Sequence, residues 1–384
     1  MLFAKLFLKI LNSNTITYIA LGSNQGDKLN NLNQAILFIF ERIGKIEAVS
    51  KVYKTPAWGF EGEDFLNACI EVSTRFSAEQ LLHELLEIEI ELGRIRIPQA
   101  GYQNRIIDLD IIFYGEEEHH SSTLQIPHPK LAERNFVLYP LKDIAPQLKH
   151  PLSAKSISHL VENSEDNSKI ELVSTELELP TLPEIHSTYV AIEGNIGAGK
   201  TSLASLISED YNAKLITERF KDNPFLPKFY EDQNRYAFPL EMSFLADRHQ
   251  QLLDDISQYD LFSDFVVADY DVYKSLIFAK VTLQEDEYSL YKKVFDIMYK
   301  ELPKPDLYVY LYQNTERLLE NIKKRGRSYE QNIAPDYLEK INRGYLNFIK
   351  SQQQINIKII DISDKDFVSN RSDYLHLLEA ISKK

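Results

Sequence analysis

Residues 189–201 read YVAIEGNIGAGKT. Tyr189 to Glu193 is a short apolar strand, and Leu203, Leu206 and Ile207 just beyond recur at helical spacing. Between them Gly194-Asn195-Ile196-Gly197-Ala198-Gly199-Lys200-Thr201 follows the pattern G-x-x-x-x-G-K-T. In a strand–loop–helix setting that pattern makes a phosphate-binding loop. Its glycines let backbone N–H groups curl around phosphate oxygens, the helix N-terminus adds positive potential, and Lys200 reaches the β- and γ-phosphates. Thr201 offers a hydroxyl to Mg2+. A plain glycine-rich turn is the weaker reading.

A second stretch, GRIRIPQAGYQNRIIDLDIIFY at residues 93–114, also points to phosphate. Residues 106–113 are apolar, broken only by two carboxylates, and read as a buried strand. Strand side chains alternate, so Asp108 and Asp110 share one face while Ile107, Leu109 and Ile111 take the other. Paired carboxylates repel, and burying them is costly unless a cation sits between them. Mg2+ suits such a site, held by one or two carboxylates, water and nucleotide phosphates. Arg94, Arg96 and Arg105 lie just upstream, shaped to grip phosphate oxygens. The same residues also fit an exposed strand face on which the arginines balance charge.

The chain has 384 residues, long for one core and comfortable for two. Its net charge of −14 argues against non-specific nucleic-acid binding, which needs a basic face. A single cysteine, Cys69, excludes an intrachain disulfide. No apolar run approaches membrane-spanning length, and a cytoplasmic protein is expected. The apolar start MLFAKLFLKILNS lacks the order of a signal peptide and reads as a short amphipathic extension without assigned function.

Residues 15–21 read as a strand, and Leu29 to Ile43 as a helix that Gly44 ends. Residues 45–53 and 67–73 read as further strands. Ser77 and Gln80 fit a capping box ahead of a helix that stops at Gly93. Glu116 to His120 is a solvated hairpin loop rather than a metal cluster, and His128 sits in a rigid turn between two prolines. Strands mixed with helices and hairpin-like returns give an α+β sandwich. From residue 163 to 187 the pattern dissolves into a linker with one edge strand near residues 169–173. The domains expected are therefore 15–162 and 188–384, and the second does not repeat the first.

Arg105-Ile-Ile-Asp108-Leu-Asp110-Ile resembles the signature of 6-hydroxymethyl-7,8-dihydropterin pyrophosphokinases. So, in the family's order, do Tyr18-Ile-Ala-Leu-Gly-Ser-Asn24, Tyr53-Lys-Thr55-Pro56, Asp64-Phe65-Leu66-Asn67, Gly93-Arg94-Ile-Arg96, Pro127-His128-Pro129 and Arg134-Asn-Phe136. Tyr102 departs from the tryptophan many members carry. The resemblance implies a ferredoxin-like core that moves the β,γ-diphosphate of ATP onto the dihydropterin. It places Mg2+ on Asp108 and Asp110, and Arg94, Arg96, Arg105, His128 and Arg134 around the phosphates. Phe65 and Phe136 would sandwich the pterin, Asn67 would bond its edge, and backbone groups of Thr55 and Trp58 would complete the pocket. Glu89 matches a position near the nucleotide and equally fits a surface charge.

The second half resembles the deoxynucleoside kinases, an α/β fold with a parallel sheet. Lys214-Leu-Ile-Thr-Glu218 puts a carboxylate at the family's general-base position. Asn223-Pro-Phe-Leu, Phe229-Tyr230 and Phe244 to Arg248 resemble its substrate helices, and Lys324-Arg325-Gly-Arg327-Ser-Tyr-Glu330 its lid. The resemblance implies that Arg325 and Arg327 close over phosphates, that Tyr230 and Glu330 hold the sugar 3′-hydroxyl, and that Arg248 and Glu241 line the deoxynucleoside site. Asp269 joins Thr201 at the metal. Three departures stand out: Asp269-Tyr270-Asp271 replaces an Asp/Glu-Arg-Ser motif, Glu241 a base-reading glutamine, and Ser275 an aspartate. Two readings follow: a kinase working on small-molecule substrates with ATP as co-substrate, or a nucleotide-binding or dimerisation module without turnover. A homodimer through this half is compatible with either.

Overall fold

The computed structural model describes residues 14–95, 103–219, 223–257, 263–300, 302–352 and 355–383. They divide into two compact units, one ending at Leu182 and the other beginning at Pro183.

The first unit is built on β1 (Thr15–Ser23), β2 (Gly44–Val49), β3 (Tyr53–Thr55), β4 (Phe65–Thr74) and β5 (Asp108–Tyr114). β6 (His119–His120) and β7 (Gln125–Ile126) make a small hairpin, and β8 (Glu171–Leu172) arrives later in the chain. The main sheet runs β5-β1-β4-β3-β8, with β2 also paired to β4, and its strand pairs are antiparallel. The helix Lys28–Arg42 lies between β1 and β2 in sequence, and Ala78–Glu91 between β4 and β5. Ser77 and Gln80 form the expected capping box. Leu32, Ala35, Ile36 and Ile39 are fully buried at the i, i+3, i+4, i+7 spacing that turns one helix face to the sheet.

β4 is buried almost throughout rather than alternating, because apolar groups cover both of its faces. Cys69, Ile112 and Phe113 pack with Leu131, Val137, Leu138 and Leu141, and so seat the helix Asn135–Ile144 against the sheet. Gly44 has a role its sequence position does not suggest. A Cβ there would lie 2.1 Å from the Ser73 carbonyl oxygen, so β2 approaches β4 closely only with glycine.

Part of the expected linker is built into this unit. β8 pairs with β3, and the Val173 N–H donates to the Val52 carbonyl at 2.9 Å. Asp166 accepts from the Asn135 N–H at 2.8 Å and, through its backbone oxygen, from the Asn135 amide at 2.7 Å. Arg134, the residue at the helix N-cap, makes no side-chain cap of its own. The segment thus caps the helix and borders β3 together.

The second unit is a five-stranded parallel sheet, β10 (Lys214–Ile216), β11 (Val266–Ala268), β9 (Tyr189–Gly194), β12 (Leu307–Tyr312) and β13 (Ile357–Asp361), in that spatial order. Every residue of β9 is buried, as expected of a central parallel strand covered on both faces. The helix Lys200–Asp210 packs on β9 to β11. Tyr189, Ile216, Leu245, Leu252, Tyr270, Tyr291 and Phe295 form a core with the helices Gln233–Ser257 and Glu285–Tyr299. Among the described residues no helix is long and apolar enough to cross a membrane.

Candidate active sites

In the first unit the sheet register collects the site. Ala20 pairs with Asp110, and Gly22 pairs with both Asp108 and Asn67, so these side chains share one face of three adjacent strands. A narrow slot on that face is lined by Gly22, Thr55, Trp58, Phe65, Asn67, Arg105, Asp108, Asp110, Arg134 and Phe136. At Gly22 a Cβ would stand 3.3 Å from Asn67 Oδ1, so glycine keeps the slot open at its floor.

Asp108 is held at both oxygens, by Arg94 at 2.5 Å and Arg105 at 2.7 Å. Glu89 is no surface charge: it is 1% exposed, pairs with Arg94 and accepts from the Leu109 N–H at 2.8 Å. It thereby ties the helix Ala78–Glu91 to β5 and aims Arg94 at Asp108. Burial, then Asp108 and Glu89, push the Asp110 carboxyl up to about 7, while Arg134 and Arg94 pull against the shift.

Asn67 donates to Thr55 Oγ1 at 2.9 Å, and its carbonyl oxygen stands at the slot floor beside Gly22. The contribution expected of Trp58 through its backbone is joined by one from its ring. Arg134 lies 5.0 Å from the Trp58 centroid and 5.4 Å from that of Phe136, so the guanidinium is held between two aromatic faces. Phe65 is braced edge-on by Phe60 at 6.3 Å. His128, expected among the groups around the phosphates, has a largely buried ring. Burial, then Arg134, bring its pKa down to about 4, and Nδ1 accepts from the Lys130 N–H at 3.3 Å. The ring is neutral near pH 7 and offers a proton from Nε2, not a full charge. Arg96 and Tyr102 lie outside the described residues. Sequence reasoning passed over Asn24, which is fully buried. It donates to Asn104 at 2.7 Å and accepts from the Arg105 N–H at 2.7 Å, latching the loop that carries Arg105.

In the second unit a cavity of about 940 Å3 opens at the carboxyl ends of β9, β10 and β11, lined by Gly197 to Thr201, Glu218, Asp269, Arg325 and Arg327 among others. Gly199, at φ 82°, caps the helix Lys200–Asp210, and a Cβ on it would meet the Phe367 ring at 2.8 Å. Lys200 donates to the carbonyls of Gly194 and Asn195 at 3.0 and 2.9 Å. Burial, then Lys274, lower its pKa to about 8. Thr201 donates to one oxygen of Asp269, while the other accepts from the Glu218 N–H at 2.7 Å.

Burial alone would raise the Glu218 pKa, yet Lys274 and Arg248 hold its carboxyl well below the usual range. Lys274 reaches one oxygen at 2.6 Å and Arg248 the other at 2.6 Å. Arg248 also donates to Ser275 at 2.7 Å, so it faces Glu218 rather than a base. Tyr230, Glu241, Arg248 and Glu330 are not among the residues lining the phosphate cavity. Glu330 pairs with Arg325 and with Arg327, the latter at 3.1 Å. Burial, then Glu330, raise the Tyr230 pKa, which puts these two side chains within electrostatic reach of each other. Glu241 is 3% exposed, accepts from Thr282 Oγ1 at 3.1 Å, and leaves Oε2 without a partner among the described residues. Burial pushes its carboxyl up to about 7. Lys274 is the residue that sequence reasoning missed here; a lysine in a helix's first turn looks like a solvated charge.

Two phosphate-handling sites, each on its own sheet, make this chain a phosphotransferase with two catalytic units. The family described as 7,8-dihydro-6-hydroxymethylpterin-pyrophosphokinase matches residues 18–146, and the deoxynucleoside kinase family matches residues 190–384. A deoxyguanosine kinase of Bacillus subtilis is 40% identical over 190 residues, 48% of this chain and 92% of that protein. A 2-amino-4-hydroxy-6-hydroxymethyldihydropteridine pyrophosphokinase of Synechocystis is 40% identical over 145 residues, 38% of this chain and 73% of that protein. The folic acid synthesis protein fol1 of Pneumocystis carinii is 40% identical over 164 residues, 42% of this chain and 22% of that protein. The chain belongs to both families: a pyrophosphokinase domain is followed by a deoxynucleoside kinase domain, each using ATP as co-substrate.

Proposed function

We propose that the first unit transfers the β,γ-diphosphate of ATP to 6-hydroxymethyl-7,8-dihydropterin and releases AMP. The observation that carries this is the common face shared by the Asp108–Asp110 pair and the aromatic slot. The strand order β5-β1-β4-β2, with two interlocking crossover helices, supports a ferredoxin-like core. We take that core as residues 15–162, with part of the following linker strapped to it, and residues 188–384 as the kinase.

Phe65 and Phe136 would stack on the flat pterin, and the free carbonyl of Asn67 would accept from its N–H edge beside Thr55 and Trp58. Asp108 and Asp110 would hold Mg2+; burial, then Asp108 and Glu89, raise the Asp110 pKa, and a divalent cation would favour its charged form. Bound there, Mg2+ supplies positive charge to the triphosphate. The hydroxymethyl oxygen bonds to the β-phosphorus, the bond from the β-phosphorus to the α,β-bridging oxygen breaks so that AMP leaves with that oxygen, and the hydroxyl proton passes to solvent. Arg94, Arg96, Arg105 and Arg134 neutralise the charge that develops, and neutral His128 donates a hydrogen bond to it.

The second unit, in this reading, phosphorylates the 5′-hydroxyl of a deoxynucleoside, deoxyguanosine foremost. Glu218 acts as base, and Lys200, Arg325 and Arg327 bind phosphates on the loop from Gly194 to Thr201. Thr201 and Asp269 would hold Mg2+, and Tyr230 and Glu330 the 3′-hydroxyl. The deoxyguanosine kinase relative supports the nucleoside, and so does Glu241. Guanine presents two adjacent N–H donors, which a carboxylate with a free oxygen accepts together, whereas adenine presents a donor beside an acceptor. Turnover on a panel of deoxynucleosides tests this, with deoxyinosine included because it lacks the 2-amino group. Parent protein should prefer deoxyguanosine, and Glu241→Gln should abolish that preference over deoxyinosine. No turnover on any nucleoside would return the second unit to a binding module.

A further inference from the structure

We propose that Lys274 is the positioning residue of the deoxynucleoside kinase site, holding Glu218 from one side and carrying the positive charge that Tyr270 cannot supply. This rests on the kinase reading above, with Glu218 as the base.

The third-strand segment divides its labour. Asp269, just past β11, lines the cavity and bonds both Thr201 and the Glu218 N–H. Tyr270 is fully buried in the core with Ile216, Leu245 and Leu252, and its hydroxyl has no partner among the described residues. A phenol there brings no positive charge to the site. Lys274 stands four residues on, in the first turn of the helix Tyr273–Thr282. It is 7% exposed, and its ammonium is 2.6 Å from Glu218 Oε2. Arg248 occupies Oε1. The carboxylate therefore has a cation on each oxygen and cannot rotate without breaking one contact.

A structural ion pair would need only one of these cations. Here two buried cations meet on one carboxylate, and Glu193 and Glu241 also lie within electrostatic reach of Lys274. Lys274 makes no second hydrogen bond among the described residues, so two of its three N–H donors remain. It is also close enough to Lys200 to depress that lysine's pKa. Lys200 lines the phosphate cavity, and Lys274 adds positive potential from its place on Glu218, which lines the same cavity.

In the transfer, the 5′-hydroxyl O–H bond breaks and its proton passes to Glu218. The 5′-oxygen bonds to the γ-phosphorus of the nucleoside triphosphate, and the bond to the β,γ-bridging oxygen breaks, leaving the diphosphate. Protonation removes the charge on Glu218 that held Lys274. The ammonium is released from its partner at the moment the phosphoryl group carries charge past it.

The experiment compares Lys274→Met, Lys274→Arg and the double variant Tyr270→Arg with Lys274→Met, each in the full chain. Steady-state kinetics with deoxyguanosine and ATP give kcat and KM, and pterin pyrophosphorylation serves as control. Lys274→Met should lower kcat ~10²–10³-fold, the range for losing one preorganised electrostatic group, with both KM values little changed. Lys274→Arg should recover most of the loss, and Tyr270→Arg should recover part of it. Retained kcat in Lys274→Met, or a change in KM alone, overturns the assignment. So does a Lys274→Arg variant as impaired as Lys274→Met while still binding ATP. A parent protein without deoxynucleoside turnover would refute the kinase reading itself, and this inference with it.

Discussion

Removing the Asp166 carboxylate should loosen the pterin slot from outside it. In Asp166→Ala the Asn135 N–H loses its 2.8 Å acceptor and the Ser168 N–H loses one at 2.9 Å. The first is a helix-capping bond from a distant residue, and losing a cap costs ~1–2 kcal/mol. For a unit of this size that is a fall of ~2–8 °C in its unfolding midpoint. Arg134 and Phe136 flank Asn135, so the pterin KM should rise while the KM for ATP and the deoxynucleoside kinase activity hold. Asp166→Asn, which keeps an acceptor oxygen, should restore most of both. The pH dependence has a definite sign. Hydrogen bonds from Ser168 and Asn135 outweigh burial and hold the Asp166 carboxyl below its ordinary value. Its contribution is therefore present above about pH 4 and fades as pH falls through the folded pKa, so parent and Asp166→Ala should converge in acid. Differential scanning calorimetry with pterin saturation kinetics measures all of this. An unchanged midpoint together with an unchanged pterin KM would refute the reasoning.

Asp110→Ala should abolish AMP release with the fold intact. Since burial raises the Asp110 carboxyl from 3.8 to about 7, its ionisation costs stability increasingly between those values, and its removal should raise stability by an amount that grows over that window and then levels off, as read by denaturant midpoints at pH 5 and 8. Phe136→Ala should weaken pterin more than ATP, by the ~0.5–1.5 kcal/mol of an aromatic contact beyond simple burial, and equal weakening of both in calorimetry would make Phe136 a core residue only. Lys200→Ala should remove deoxynucleoside phosphorylation and spare pyrophosphorylation; parallel assays showing both lost would mean that the sites are coupled.

Strand alternation alone put Asp108 and Asp110 on one face, because a period of two leaves no choice once the strand is recognised. The strand, glycine-rich turn and helix around Gly194 to Lys200 were legible for a similar reason: the glycines stand where the turn takes positive φ. What could not be read depends on partners far away in sequence. Glu89 sits among other acids on an amphipathic helix, and only the approach of the Leu109 N–H and Arg94 distinguishes it. Gly44 looked like a helix stop, yet the constraint on it comes from the Ser73 carbonyl. His128 was legible as a turn residue, but the burial and the nearby Arg134 that keep its ring neutral were not. Asp166 lies in a polar stretch, NSEDNSK, whose composition is that of a solvated tether. Lys274 was hidden because burial of a helix-start lysine is decided by the Glu218 carboxylate across the sheet's end.

The one thiol of this chain, on Cys69, is fully buried in the sheet core, and burial drives its pKa far above the cellular range. A thiol kept neutral and enclosed neither alkylates nor oxidises readily. The wild-type protein is therefore silent toward maleimide dyes and spin labels without any cysteine having to be removed. A cysteine introduced at one exposed position, on the lid near Arg327 for instance, would be the sole reactive thiol. Motions of either unit during turnover can then be followed by fluorescence or electron spin resonance in an otherwise unmutated background.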